Sequence, residues 1–192
     1  MATALITTPR LCLRPMTQAD VGDIHALVTR PEVARMLFMF SPDWTHDEAK
    51  AFVGEWAWQG KLRFRLSVEA KGEWLGWIGV SDDPTPEIFY AMTAAASGNG
   101  YAQEALRGFC GFLFARFGLS ALSAGVFADN PASARVLEKC GFRRVSEALH
   151  ASCGRAEPAL CWMYEMTRPQ AVELPGETKG RKGVKSELSP WG

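Results

Sequence analysis

The sequence predicts an α+β fold in which helices cover both faces of a mixed, mostly antiparallel sheet, an α/β/α layering. Three observations predict it. Stretches with apolar residues at helical spacing flank a central block of period-2 segments. The turns within that block are too short for helical crossovers, so its strands form an antiparallel meander. Later helices each open directly after a strand, on a glycine or an Asn-Pro signal. The expectation is six to seven strands and about four helices, forming one domain over residues 1–167.

The first strand is read at Leu11-Cys12-Leu13-Arg14, ending at Pro15. Thr17 to Asp20 opens a helical stretch with Val21, Ile24, Leu27 and Val28 on one face, and Pro31 starts a short helix to Met36. Thr45, followed by Asp47 and Glu48, caps a helix reaching Trp58, because its hydroxyl can accept from a first-turn N–H and the acids suit the positive helix end. Phe64-Arg65-Leu66-Ser67-Val68 alternates as a strand, Lys71-Gly72 turns the chain, and Trp74 to Val80 returns as a buried strand. Glu87 to Met92 is the fourth strand.

Ser97-Gly98-Asn99-Gly100-Tyr101-Ala102 then leads into the strongest helix, with Ala102, Leu106, Phe109, Leu113 and Phe117 on one stripe and Gly118 as its stop. A fifth strand, Leu122 to Phe127, precedes Asn130-Pro131, the N-cap and first residue of a helix ending at Cys140-Gly141. Phe142 to Glu147 and Leu160 to Met166 close the domain. From 168 to 192, Pro, Gly, Lys and Glu dominate, and a mobile tail is expected.

Composition narrows the function classes. Of 192 residues, 47% are hydrophobic and 22% charged, and the formal net charge is zero, which argues against a nucleic-acid surface. The 5 cysteines, Cys12, Cys110, Cys140, Cys153 and Cys161, make no C-x-x-C spacing, so neither a disulfide framework nor a metal site is expected, and the chain reads as cytoplasmic. No apolar run reaches the ~20 residues of a membrane span, so no membrane partner is expected either.

Chemistry concentrates at two strand-to-helix junctions. At the first, glycines let backbone approach an anion while the helix start offers unsatisfied N–H groups and a positive dipole end, so a pyrophosphate is the natural guest. A Walker loop is excluded because no Gly-Lys-Ser/Thr follows, and the third glycine of a dinucleotide fingerprint is missing. Alone, such a turn reads equally well as a tight turn. The second junction, Asn130-Pro131-Ala132-Ser133, runs on to Lys139-Cys140-Gly141-Phe142.

Together the two junctions resemble the GNAT superfamily of N-acetyltransferases, and most of all its RimJ/RimL-like, ribosomal-protein-alanine branch. The family turn R/Q-x-x-G-x-G/A corresponds to Ser97 to Ala102, and the family's Asn-x-x-Ser and Lys-x-Gly-Phe correspond to Asn130, Ser133, Lys139, Gly141 and Phe142. Thr8-Pro9-Arg10-Leu11-Cys12-Leu13-Arg14-Pro15 matches the branch's first strand, so the resemblance spans roughly residues 7 to 167. Ser97 departs from the pattern, standing where Arg or Gln is usual.

The resemblance implies a GNAT fold splayed between the fourth and fifth strands, with acetyl-CoA as cosubstrate and no metal. Carried over, the Met92 and Thr93 backbone pairs with pantetheine. The amides of Gly98, Asn99, Gly100, Tyr101 and Ala102 hold the pyrophosphate. Asn130 bonds the pantetheine amide region, and Ser133 sits near the sulfur as candidate acid. Glu87 stands where relatives often carry a base, with Asp82, Asp83 and His150 as weaker candidates. The implied reaction is direct attack by a primary amine, from a small molecule or a peptide N-terminus, and a homodimer is compatible with the branch.

Bland readings stand beside these: strand-end carboxylate for Glu87, plain capping for Asn130, an idle first-turn hydroxyl for Ser133. Cys140 could be an acetylated nucleophile but reads better as a buried small residue. Among Trp44, Trp56, Trp58, Trp74 and Trp77, most are expected in the core, with one or two lining the acceptor pocket. His25 and His46 read as surface helix residues. The rival functions are a non-catalytic acyl-CoA-binding sensor and a peptide-interaction domain using the tail.

Overall fold

The computed structural model describes residues 3–168. The expected tail beyond Arg168 lies outside the described residues. Two antiparallel sheets make up the centre. The first has the order β1 (Ile6–Thr7), β2 (Cys12–Pro15), β3 (Phe64–Ala70), β4 (Glu73–Val80), β5 (Ile88–Met92). The second has the order β6 (Ala121–Phe127), β8 (Ala159–Thr167), β7 (Arg143–His150). The helices are α1 (Val21–Val28), α2 (Pro31–Ala34), α3 (His46–Glu55), α4 (Tyr101–Phe117) and α5 (Pro131–Lys139), with 3-10 turns at Gln18–Asp20 and Ala94–Ala96.

The expected fold class holds, with eight strands and five α-helices among the described residues in place of the smaller counts. The additional strand, Ile6–Thr7, is too short to show alternation in sequence. It pairs through Ile6↔Leu13 and Thr7↔Cys12.

Helix boundaries follow local chemistry. Thr45 and Glu48 form a reciprocal capping box at α3, with Glu48 N donating to Thr45 Oγ1 at 3.2 Å and Thr45 N donating to Glu48 Oε2 at 2.7 Å. α4 ends at Gly118, whose φ of 64° only glycine adopts freely, and its N–H donates to Phe114 O at 3.2 Å.

Layering comes from which face each helix covers. Leu106, Phe109 and Leu113 of α4 are buried with Ala134 and Leu137 of α5 against Phe64, Leu66 and Ile78. On the other face, Ile24 and Val28 of α1 and Phe52 and Val53 of α3 bury Trp77, Phe40 and Ala91. β3 is therefore covered on both sides, although alternation is the general pattern of a strand with one solvated face. Arg14 on β2 ties the sheet to the start of α1, meeting Asp20 at 2.7 Å, and also pairs with Glu69 of β3 at 2.5 Å.

Candidate active site

β5 and β6 start side by side and then part. A single parallel bridge, Glu87↔Ser123, joins the two sheets, with Ser123 N donating to Pro86 O at 2.9 Å. Beyond it the strands diverge around a cavity of about 1160 Å³. Its walls include Gly98, Gly100, Asn130 and Ser133 as well as Phe38, Trp56, Arg65 and Trp77. The expected splay between the fourth and fifth strands lies here.

The glycine turn is shaped by backbone torsion. Gly98 and Gly100 both have φ of 74°, and Gly100 is the N-cap of α4 without any side-chain cap. The Asn99 side chain folds back, donating to Ala95 O at 3.1 Å and Ser97 O at 3.2 Å. The first-turn amides of the 17-residue α4, those of Tyr101 and Ala102 included, thus face outward at the positive end of a long helix.

Arg10, which no local signal tied to the turn, secures it from the β1–β2 connection. Its Nη1 donates to Asn99 O at 2.8 Å and its Nε to Glu104 Oε2 at 2.6 Å, and its guanidinium lies 4.6 Å from the Tyr101 ring centre. It brings a cation to the turn whose usual Arg or Gln is Ser97.

The end of β5 narrows one expectation. Thr93 N donates to Leu75 O at 2.8 Å and Thr93 O accepts from Ala96 N at 3.1 Å, so the Thr93 backbone is spent within the protein. By strand alternation, the Met92 backbone points the other way, into the gap. The Thr93 side chain lines the cavity, and its Oγ1 is buried without a partner among the described residues.

The acid–base candidates divide across the sheet. Glu87, Phe89 and Ala91 share one face by the period-2 rule, whereas Tyr90 and Met92 share the other. Glu87 is anchored by its N–H donating to Ser81 Oγ at 2.9 Å, and its Oε1 accepts from Gly125 N at 3.1 Å. A Cβ at Gly125 would lie 3.1 Å from Glu87 Oε1 and 3.2 Å from Phe38 Cζ, so glycine there makes room for the carboxylate. Burial pushes the Glu87 carboxyl above its ordinary range, opposed by the Gly125 hydrogen bond. Asp82 and Asp83 are exposed. His150 packs edge-on to Phe38, ring centres 5.7 Å apart.

On the opposite face, Tyr90 OH lies 2.7 Å from Ser133 Oγ. Asn130 Oδ1 accepts from Ser133 N at 3.2 Å, an N-cap bond that fixes the first turn of α5 and with it the Ser133 hydroxyl. Burial pushes the Tyr90 phenol up to about 12, so it remains a proton donor at neutral pH. Tyr90 escaped the sequence reading; its alternation with Glu87 was the available signal. Cys140 donates weakly to Gln103 O at 3.6 Å, and burial raises its thiol, which favours the buried-residue reading. Among the described residues, no three His, Cys, Asp or Glu side chains converge to hold a metal, and no helix is long and apolar enough to cross a membrane.

A family model described as an acetyltransferase (GNAT) domain matches residues 10–143. An uncharacterized N-acetyltransferase, YoaA, of Bacillus subtilis strain 168 is 30% identical over 174 residues, covering 86% of this chain and 98% of that protein. Mycobacterium smegmatis RimJ, solved with CoA-disulfide, superposes with a TM-score of 0.71 at 19% identity, over 86% of this chain and 84% of that one. Spermidine N-acetyltransferase from Vibrio cholerae, solved with CoA and spermine, gives 0.71 at 16%, over 83% and 96%.

Proposed function

The chain belongs to the GNAT acetyltransferase family, and on that premise we propose that it moves an acetyl group from acetyl-CoA to a primary amine by direct attack. Membership makes it an acetyl-CoA-dependent acyltransferase. The observation that carries the finer reading is one cavity joining the glycine turn, the Tyr90–Ser133 pair and the Glu87 carboxylate.

The turn suits the coenzyme's pyrophosphate. Its two left-handed glycines expose backbone, and the start of α4 offers the amides of Gly98, Asn99, Gly100, Tyr101 and Ala102. Met92 backbone, Thr93 Oγ1 and Asn130 line the route for the pantetheine arm. Acetyl-CoA bound there supplies a thioester, an electrophilic carbonyl carbon with a thiolate leaving group.

Glu87 takes a proton from the incoming ammonium, directly or through water, and so frees the amine lone pair. Attack forms the C–N bond. As the C–S bond breaks, the Tyr90 hydroxyl gives its proton to the departing sulfur and regains one, through water, from the nitrogen as it becomes an amide. Ser133 orients the phenol and the start of α5 adds a positive dipole end. Ser133, expected as the acid itself, thus acts with and through Tyr90. The raised Cys140 thiol and its contact with Gln103 disfavour an acetyl-cysteine route. The acceptor class is a small amine or a peptide N-terminus.

Thiol release from acetyl-CoA, followed across a panel of amines and peptides, tests the proposal. Amine-dependent release supports it. Tight acetyl-CoA binding without release by any amine would favour the sensor reading instead. Arg10→Ala is expected to raise the acetyl-CoA dissociation constant roughly three- to tenfold, the scale of one or two hydrogen bonds, as read by calorimetry. An unchanged constant would remove Arg10 from the binding turn.

A further inference from the structure

Arg65 is a charge in an unusual place. It stands on β3 facing α1 and α3, and is only 2% exposed. Its guanidinium carbon lies 3.5 Å from the ring centre of Trp56, 4.5 Å from those of Phe52 and Phe89, and 5.1 Å from that of Trp77. Nε and Nη1 have no acceptor among the described residues, and Nη2 meets only the Met39 thioether at 3.4 Å, a weak acceptor. Its charged neighbours are Glu55 and Arg63, which pair with each other.

Stacking on aromatic faces offsets part of the cost of burying a cation, but it leaves the planar N–H fork unused. A buried charge without a carboxylate is costly, and a desolvated charged group lining a cleft is a functional-site candidate. The fold also makes room for it. A Cβ at Gly79 would lie 2.4 Å from Arg65 Cγ and 2.9 Å from Phe89 Cε2, so glycine at that position admits the arginine stem.

Arg65 lines the same cavity as Glu87. In register, Arg65 pairs with Gly79 and Gly79 with Phe89. Glu87 lies two residues from Phe89 on the same face, roughly 7 Å along the strand. Base and guanidinium therefore look into one chamber, with Phe89 between them. Met39, 43% exposed, covers Nη2 with an unbranched, adaptable side chain.

The geometry points to Arg65 as an anion subsite of the acceptor pocket, so that the amine acetylated at Glu87 carries a carboxylate a few bonds away. The carboxylate displaces the Met39 sulfur and pairs with the guanidinium, while Trp56 and Phe89 flank the linking atoms. This rests on the acetyl-transfer reading above. Polyamines, which carry only positive charge, are disfavoured by the same cation.

Matched amines test it: ω-amino acids against the amines lacking the carboxylate, and dipeptides with free against amidated C-termini. With wild-type protein and acetyl-CoA, the carboxylate member is expected to have at least a tenfold higher kcat/KM. Arg65→Gln is expected to erase that preference, bringing the kcat/KM ratio of the two members to about one, while leaving the acetyl-CoA dissociation constant unchanged. Equal or inverted preference in the wild type overturns the subsite, as does a preference surviving in Arg65→Gln.

If that variant fails to fold, the wild-type ratio alone decides. If no member is turned over, the same pairs are titrated against CoA-loaded protein by tryptophan fluorescence, Trp56 being the contact reporter; selective binding of the carboxylate member supports the subsite and its absence overturns it. Failure of the underlying reading looks different: no acetyl-CoA binding, or no turnover of any amine, charged or neutral.

Discussion

Replacing Glu87 by glutamine is expected to lower kcat/KM about 10²- to 10³-fold with the acetyl-CoA dissociation constant unchanged, the range for loss of a positioned general base. Glutamine keeps the length of the side chain, and its amide oxygen can still accept from Gly125 N, so thermal unfolding should not shift. The loss corresponds to about 3–4 kcal/mol of transition-state stabilisation. The pH profile carries a second check. Burial raises the Glu87 carboxyl, and a base acts only when ionised. Wild-type kcat/KM should therefore rise with pH through a value above the ordinary glutamate figure of ~4.3, and that limb should vanish in Glu87→Gln. An unaltered profile would place the base elsewhere, with His150 next in line.

The glycine turn and both helix starts were legible because their signals are local. Gly98 and Gly100 adopt the positive φ that glycine permits, and Asn130 caps α5 within three residues of itself. Glu87 was legible only through resemblance, because its burial depends on Gly125 and Phe38, which come from β6 and the segment after α2. Arg10 lies 89 residues from the carbonyl it holds, and no pattern in the chain spans that gap.

Arg65 shows the limit most sharply. Phe64-Arg65-Leu66-Ser67-Val68 alternates like a strand with one wet face, yet Arg65 is 2% and Ser67 0% exposed. Packing of α1 and α3 over that face, a tertiary event, turned a polar stripe into a pocket wall. Period-2 patterning reports which residues share a side. It does not report what covers that side.

Tyr90→Phe is expected to lower kcat about 10²-fold, the lower range for loss of a positioned acid, with little change in acetyl-CoA affinity. Ser133→Ala should cost less, on the order of tenfold, because Tyr90 keeps its proton and loses only the partner 2.7 Å away. The two residues act as a unit, so the double variant should be no worse than Tyr90→Phe alone. The chemistry of the leaving group separates acid catalysis from a packing defect. A thiolate of lower pKa departs with less help, so an acetyl donor with a more acidic thiol should recover most of the Tyr90→Phe loss. A packing defect would slow both donors alike. Equal losses with the two donors would therefore return the acid role to Ser133 or to solvent, and would leave Tyr90 as a residue that holds α5 against β5.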